Sequence, residues 1–157
     1  MRLRILPLRL AAAAALALPL AVSACQSPSG ADPDDLRAFT NARKHWMERG
    51  VRSYTLVARA NCFCGFLGDI RTTVVNGVVT ERVYVEDGSP VPADRFAEIA
   101  TIDAMLETLD KAFREDADDV RATYDDRGVP TQVFIDYHYN WADEEFGWVV
   151  RSFTPAS

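Results

Sequence analysis

The sequence predicts an α+β domain: an antiparallel sheet of about six strands with two helices on one face, ordered helix, three strands, helix, three strands. Three observations predict it. Apolar residues recur at helical spacing in two separated stretches, at Leu36, Phe39, Ala42, Trp46 and Met47, then at Ile102, Met105, Leu106, Leu109, Ala112 and Phe113. Between and after them lie short runs rich in valine, isoleucine, threonine and aromatic residues. Those runs are joined by turn sequences, Asn76-Gly77 and Asp125-Asp126-Arg127-Gly128, that connect antiparallel neighbours.

Taken in order, Asp32-Pro33-Asp34-Asp35 starts the first helix. Asp32 can accept from orphan backbone amides, Pro33 suits the first turn, and the acids face the positive end of the helix dipole. The helix spans Asp34 to Arg49, and Gly50 ends it in a left-handed cap. Ser53 to Asn61 reads as a strand. Ile70 to Val75 and Val78 to Val85 form a hairpin in which Ile70, Val74, Val79 and Val83 share the buried face, while Arg71, Thr73, Thr80 and Arg82 share the wet one. Asp87 to Val91, with Pro90 followed by Pro92, interrupts the pattern. Thr101 caps the second helix. Strands follow at Val120 to Tyr124, Thr131 to Tyr137 and Phe146 to Phe153, with a loop from Asn140 to Glu145. The turn segments Asn76-Gly77-Val78-Val79-Thr80 and Arg127-Gly128-Val129-Pro130-Thr131 align, over too short a span to establish a duplication.

The N-terminus has a different character. Arg2, Arg4 and Arg9 precede an apolar run from Leu10 to Val22, the layout of a signal peptide. The run is shorter than the roughly 20 residues that cross a bilayer. It closes on Val22-Ser23-Ala24-Cys25, which resembles the lipobox of bacterial lipoproteins. That resemblance implies cleavage before Cys25 and acylation of its sulfur and new amino terminus. Several acyl chains, at about 0.8 kcal/mol per buried methylene, would anchor the chain where one alone is marginal. In Gram-negative lipoproteins an aspartate after the cysteine resembles an inner-membrane retention signal, so Gln26 implies the periplasmic face of the outer membrane. Residues 1–24 are thus expected as leader, 25–31 as lipidated cysteine and flexible tether, and 32–157 as one domain.

Removing residues 1–24 takes away three arginines and no acid, so the net charge falls from -6 to -9. So acidic a domain lacks the clustered Lys and Arg that bind nucleic acid, and that class of partner is excluded. With Cys25 acylated, two cysteines remain, Cys62 and Cys64, in a compartment where disulfides persist.

The order Trp46, Ser53-Tyr54, Cys62-Phe63-Cys64, Asn76-Gly77-Val78-Val79, Thr101-Ile102-Asp103, Tyr124-Asp125, Gly128-Val129-Pro130-Thr131, Ile135-Asp136 and Asp143-Glu144-Glu145 resembles a group of small bacterial lipoproteins. They form the domain-of-unknown-function family numbered 6174. The resemblance spans about Leu36 to Phe153 and implies a lipoprotein setting, but no activity, substrate or catalytic residue. One departure is Val129, where an aromatic residue is more usual.

The cysteine pair admits three readings. In a straight strand, residues two apart have Cα atoms about 6.6 Å apart, the upper edge of disulfide reach. Gly65 and Gly68 permit a bend, so a local disulfide of small stabilising effect is one reading. A strained bridge is also reducible, which makes Cys62 and Cys64 candidates for a thiol oxidoreductase; no nearby Lys or His lowers their pKa. As half of a tetrahedral metal set they would need His45 or His138, both distant in sequence.

Asp125, Asp126, Asp136, Asp143, Glu144 and Glu145 lack calcium-loop spacing and read as solvated loops. Tyr137, Phe146 and Trp148 suit the sheet and core. Tyr139 and Trp141 fall in a polar loop, either as packing residues, the reading favoured over an interface, or as candidate interaction residues. The chain has no nucleophile elbow and no phosphate-cradling glycine loop, and no cofactor is expected. The expected function is that of a non-enzymatic envelope lipoprotein, held to the membrane by lipid on Cys25, that binds another envelope protein or a small ligand.

Overall fold

The computed structural model describes residues 32–62, 68–98 and 101–156. The expected leader, lipid site and tether lie outside the described residues, as does Cys64.

Helix α1 (Pro33–Arg49) starts and stops on the residues that encode its ends. The Asp32 carboxylate accepts from the Asp34 amide at 2.8 Å, Pro33 opens the first turn, and Gly50 closes the helix at φ 59°. Helix α2 (Ile102–Arg114) is capped by the Thr101 hydroxyl, which accepts from the Ala104 amide at 3.2 Å. A short 3-10 segment, Ala93–Glu98, precedes it and has no counterpart in the sequence reading.

The strands are β1 (Tyr54–Cys62), β2 (Ile70–Val75), β3 (Val78–Tyr84), β4 (Asp119–Tyr124), β5 (Pro130–Asp136) and β6 (Phe146–Pro155). They form one six-stranded sheet in the order β3-β2-β1-β6-β5-β4, with antiparallel pairing throughout. Two three-stranded meanders therefore meet at the central β1–β6 pair. A repeat would place β1 and β4 equivalently, but β1 is central and β4 is an edge strand.

Both helices cover one face. α1 buries Phe39, Ala42 and Trp46, and α2 buries Ile102, Met105, Leu106, Leu109 and Ala112, against Tyr54, Leu56, Val74, Val120, Val133, Ile135 and Trp148 of the sheet. Leu36 and Met47 continue the apolar stripe of α1 in sequence but are exposed. The reason is position: α1 packs on edge strand β4, so its flanks overhang the core. The Tyr54 hydroxyl accepts from the Ile102 amide at 3.2 Å and so ties the start of α2 to the sheet centre. Burial pushes the Tyr54 phenol up to about 12, keeping it neutral.

The β2–β3 hairpin turns at Asn76 and Gly77, with φ of 53° and 81°, as its sequence demands. Its register corrects one expectation. Val74 pairs with Val79, but Thr73 pairs with Glu81, so Thr80 is the extra residue of a bulge. Because side chains alternate with period two, everything after Thr80 changes face. Arg82 then lies opposite Thr72 on the helix side, and Val83 lies opposite Arg71 on the other, where it is nevertheless buried as expected, beside Pro90.

Candidate functional site

Several residues that carry the family resemblance meet in a structural joint. The Trp46 indole donates to the Asp103 carboxylate at 2.8 Å and packs edge-on against Tyr54 and Phe153, each with ring centroids 5.7 Å away. Gly128 passes under α1 so closely that an added Cβ would lie 2.1 Å from the Ala42 carbonyl oxygen. Asp125 shapes that turn: one carboxylate oxygen accepts from the amides of Arg127 at 2.9 Å and Val129 at 3.0 Å, the other from Arg127 Nε at 2.8 Å. Arg127 in turn lies over the Phe153 ring at 4.8 Å. These contacts hold α1, α2 and the sheet together.

Burial pushes the Asp125 carboxyl up, but the Arg127 side chain and the amides of Val129 and Arg127 outweigh it and hold the group below the usual carboxylate range. A depressed carboxylate stabilises the fold above its unfolded pKa of about 3.9, and that contribution disappears as pH falls through the lower folded value. The expected result is an acid unfolding limb that flattens in Asp125→Asn, measured as stability against pH between about 5 and 2.

Cys62, Tyr139 and Trp141 lie at one end of the sheet, while Asp125 and Asp126 lie at the other. Cys62 ends β1 and pairs across strands with Phe146, the first residue of β6. The Phe146 ring stacks against Tyr137 at 6.3 Å and meets Trp148 edge-on at 5.5 Å. Between β5 and β6, Tyr139 and Trp141 are 60% and 64% exposed. Their loop is held in place: the Tyr139 amide donates to the Asp118 carboxylate at 2.9 Å, the Trp141 amide to the His138 carbonyl at 2.9 Å, and the His138 and Trp141 rings lie 4.6 Å apart. Of the acidic residues noted in sequence, Asp136 is buried and accepts from the His138 amide at 3.0 Å, a turn role that needs no ion. His45 is exposed on α1. Among the described residues, no three His, Cys, Asp or Glu side chains converge as a metal site requires.

Apart from the β3 edge, where Val83 is buried, the sheet face opposite the helices is left largely open by the described residues. Arg59, Arg71, Arg121 and Arg151 project there beside Asp69, Glu81 and Asp119, giving near charge balance on an otherwise acidic protein. Arg59 Nε holds the Asp69 carboxylate at 2.8 Å, and that contact, with Arg151 close by, keeps the Asp69 carboxyl below its usual range. Toward the β4 edge lies a groove of about 320 Å³ lined by Arg121, Ala122, Thr123, Gln132 and Phe134. The Arg121 guanidinium stacks 4.5 Å from the Phe134 ring centroid and pairs with Asp119 at 2.9 Å. Opposite Phe134 in register stands Gly147, where an added Cβ would lie 1.9 Å from the Val133 carbonyl oxygen. The glycine leaves the face of Phe134 without a cross-strand neighbour from β6. Sequence reasoning did not single out this groove; the alternation of Thr, Arg, Gln and Phe along β4 and β5 was its available signal.

A family model described as a family of unknown function, DUF6174, matches residues 38–155, which include α1 after its first turn, all of α2 and all six strands. The chain belongs to this family. No curated protein matches it, and no solved structure does. In this DUF6174 chain the motif residues fall largely in a joint between helices and sheet, while among the described residues much of the opposite sheet face and the aromatic loop are exposed.

Proposed function

We propose that this DUF6174 protein is a lipid-anchored cell-envelope lipoprotein whose domain binds another envelope protein or a small ligand through the open sheet face, without catalysing a reaction. The reading of the anchor rests on the leader and on Val22-Ser23-Ala24-Cys25. The reading of the binding surface rests on one observation above all: the half-buried Phe134 ring, stacked by the Arg121 guanidinium in a groove, beside a glycine that adds no side chain from β6. An arginine stacked on an aromatic ring is the kind of pair on which contact energy concentrates. The cysteine pair is proposed as a disulfide brace between Cys62 and Cys64, at the end of β1.

The test is crosslinking in intact cells, followed by identification of what is captured. Arg121→Ala combined with Phe134→Ala is expected to lower capture at least tenfold, about 1.4 kcal/mol of binding, while circular dichroism stays native. Cys62→Ser with Cys64→Ser is expected to keep capture in any preparation that folds. Undiminished capture by the first double variant removes the open face from the reading. Insulin reduction by wild type that the cysteine variants abolish replaces the binding module with a thiol oxidoreductase.

A further inference from the structure

The domain has two distinct ends, and the chain enters at one of them. The start of α1 lies beside the start of β4, since the Asp35 carboxylate feels the charges of Asp119 and Arg121. The other end of α1 lies beside the far end of β4, where an Arg49 guanidinium nitrogen donates to the Asp126 carbonyl at 3.4 Å. Helix and strand thus run side by side in the same direction. The Asp118 carboxylate, one residue before β4, accepts from the Tyr139 amide at 2.9 Å. The loop bearing Tyr139 and Trp141 is therefore at the end where residue 32 joins α1. The turns at Asn76-Gly77 and Asp125-Gly128 are at the opposite end, about 20 Å further along a six-residue strand.

Only six residues, Gln26 to Ala31, separate Cys25 from Asp32. Fully extended they reach about 20 Å. A chain anchored at Cys25 therefore holds this end of the domain within about 20 Å of the bilayer surface. The two most exposed aromatic side chains among the described residues occupy that near end, on a loop already ordered by three contacts. Tyr and Trp combine an apolar body with a polar tip, which is why they settle at the headgroup level of membranes. Leu36, on the first turn of α1, adds a further exposed apolar side chain.

We propose that Tyr139 and Trp141 enter the headgroup layer of the membrane that carries the Cys25 lipid, and so fix the orientation of the domain on it. The inference rests on the lipid anchor proposed above. Charge selects the kind of surface: Asp32, Asp34 and Asp35 at the helix start, Asp118, and Asp143, Glu144 and Glu145 in the loop all favour a zwitterionic headgroup over an anionic one. This orientation leaves the open sheet face standing roughly along the membrane normal, accessible from the side.

The experiment uses the full processed protein purified from its membrane and placed in phosphatidylcholine vesicles, with the mass of its N-terminal peptide recorded first. Trp46 and Trp148 are buried, at 4% and 6% exposure, so shallow contact is read from Trp141. Nitroxide lipids labelled near the headgroup are expected to quench tryptophan emission at least twofold more than lipids labelled deep in the chain, and Trp141→Phe is expected to abolish the difference. Protection of Trp141 from aqueous acrylamide should appear on vesicle association and weaken when anionic lipid is included. An acylated, vesicle-bound protein whose Trp141 stays unquenched and fully accessible to acrylamide overturns the inference and leaves the anchor standing. Protection that strengthens with anionic lipid, or that occurs only in cells and never in vesicles, overturns it too. An N-terminal peptide without acyl mass sinks both the anchor and the inference.

Discussion

Replacing Trp46 with alanine is expected to lower the unfolding free energy by about 4 kcal/mol, the middle of the range for removing a large aromatic side chain from a core. Trp46 is buried, its ring meets Tyr54 and Phe153 edge-on, and its indole N–H is bound by Asp103 on the other helix. Alanine opens a cavity between α1 and the sheet and also leaves the Asp103 carboxylate without that donor. A domain of this size is stable by about 5–15 kcal/mol, so at the low end of that range about 1 kcal/mol would remain and roughly one molecule in six would be unfolded at room temperature. Trp46→Phe separates the two effects. It keeps most of the ring volume and loses the hydrogen bond, so about 1–2 kcal/mol should be lost. Urea unfolding of the three proteins measures this directly, and a loss below about 2 kcal/mol in Trp46→Ala would show that the joint is less central than its contacts imply.

The second large effect is expected at Gly128. Its φ is 82°, a conformation that costs a residue with a Cβ about 1–2 kcal/mol by itself. Its added Cβ would also lie 2.1 Å from the Ala42 carbonyl oxygen and 2.9 Å from the Trp46 amide nitrogen, both backbone atoms of α1. Neither can yield without lifting the helix, so Gly128→Ala should lose about 3 kcal/mol or more. Gly50 supplies the control. It has φ of 59° but nothing within 4 Å of an added Cβ, so Gly50→Ala should show the conformational effect alone, about 1–2 kcal/mol. Equal losses at the two glycines would refute the close approach of the turn to α1.

These two residues also mark what a sequence can disclose. Local encoding was readable: Asp32, Pro33 and Gly50 bound α1, Thr101 caps α2, and Asn76-Gly77 makes the hairpin turn. The chain order of helices and strands followed from the same signals. Gly128 was readable as a turn residue, but its second duty, admitting the backbone of α1, depends on a helix more than 80 positions earlier. The Thr80 bulge was hidden for a different reason. Val83 is buried as its apolar side chain implies, but nothing around Thr80 marks an extra residue, so strict alternation assigned Arg82 and Val83 to the wrong faces. At the candidate sites, the exposure of Tyr139 and Trp141 was foreshadowed by the polar residues around them. The groove at Phe134 was not, because it depends on Gly147 arriving opposite that ring from another strand.

The central β1–β6 pair joins Tyr54 to Pro155 and Cys62 to Phe146, so the middle of the sheet is made from the first and last strands of the domain. Contacts this remote in sequence make for slow folding, because the intervening chain must be closed into a loop before they form. During synthesis the inner edge of β1 stays unsatisfied until the final ten-residue strand has emerged. Chains cut short near the C-terminus would therefore present that edge to one another, and the cell's quality control would meet an aggregation-prone species instead of a slightly shortened domain.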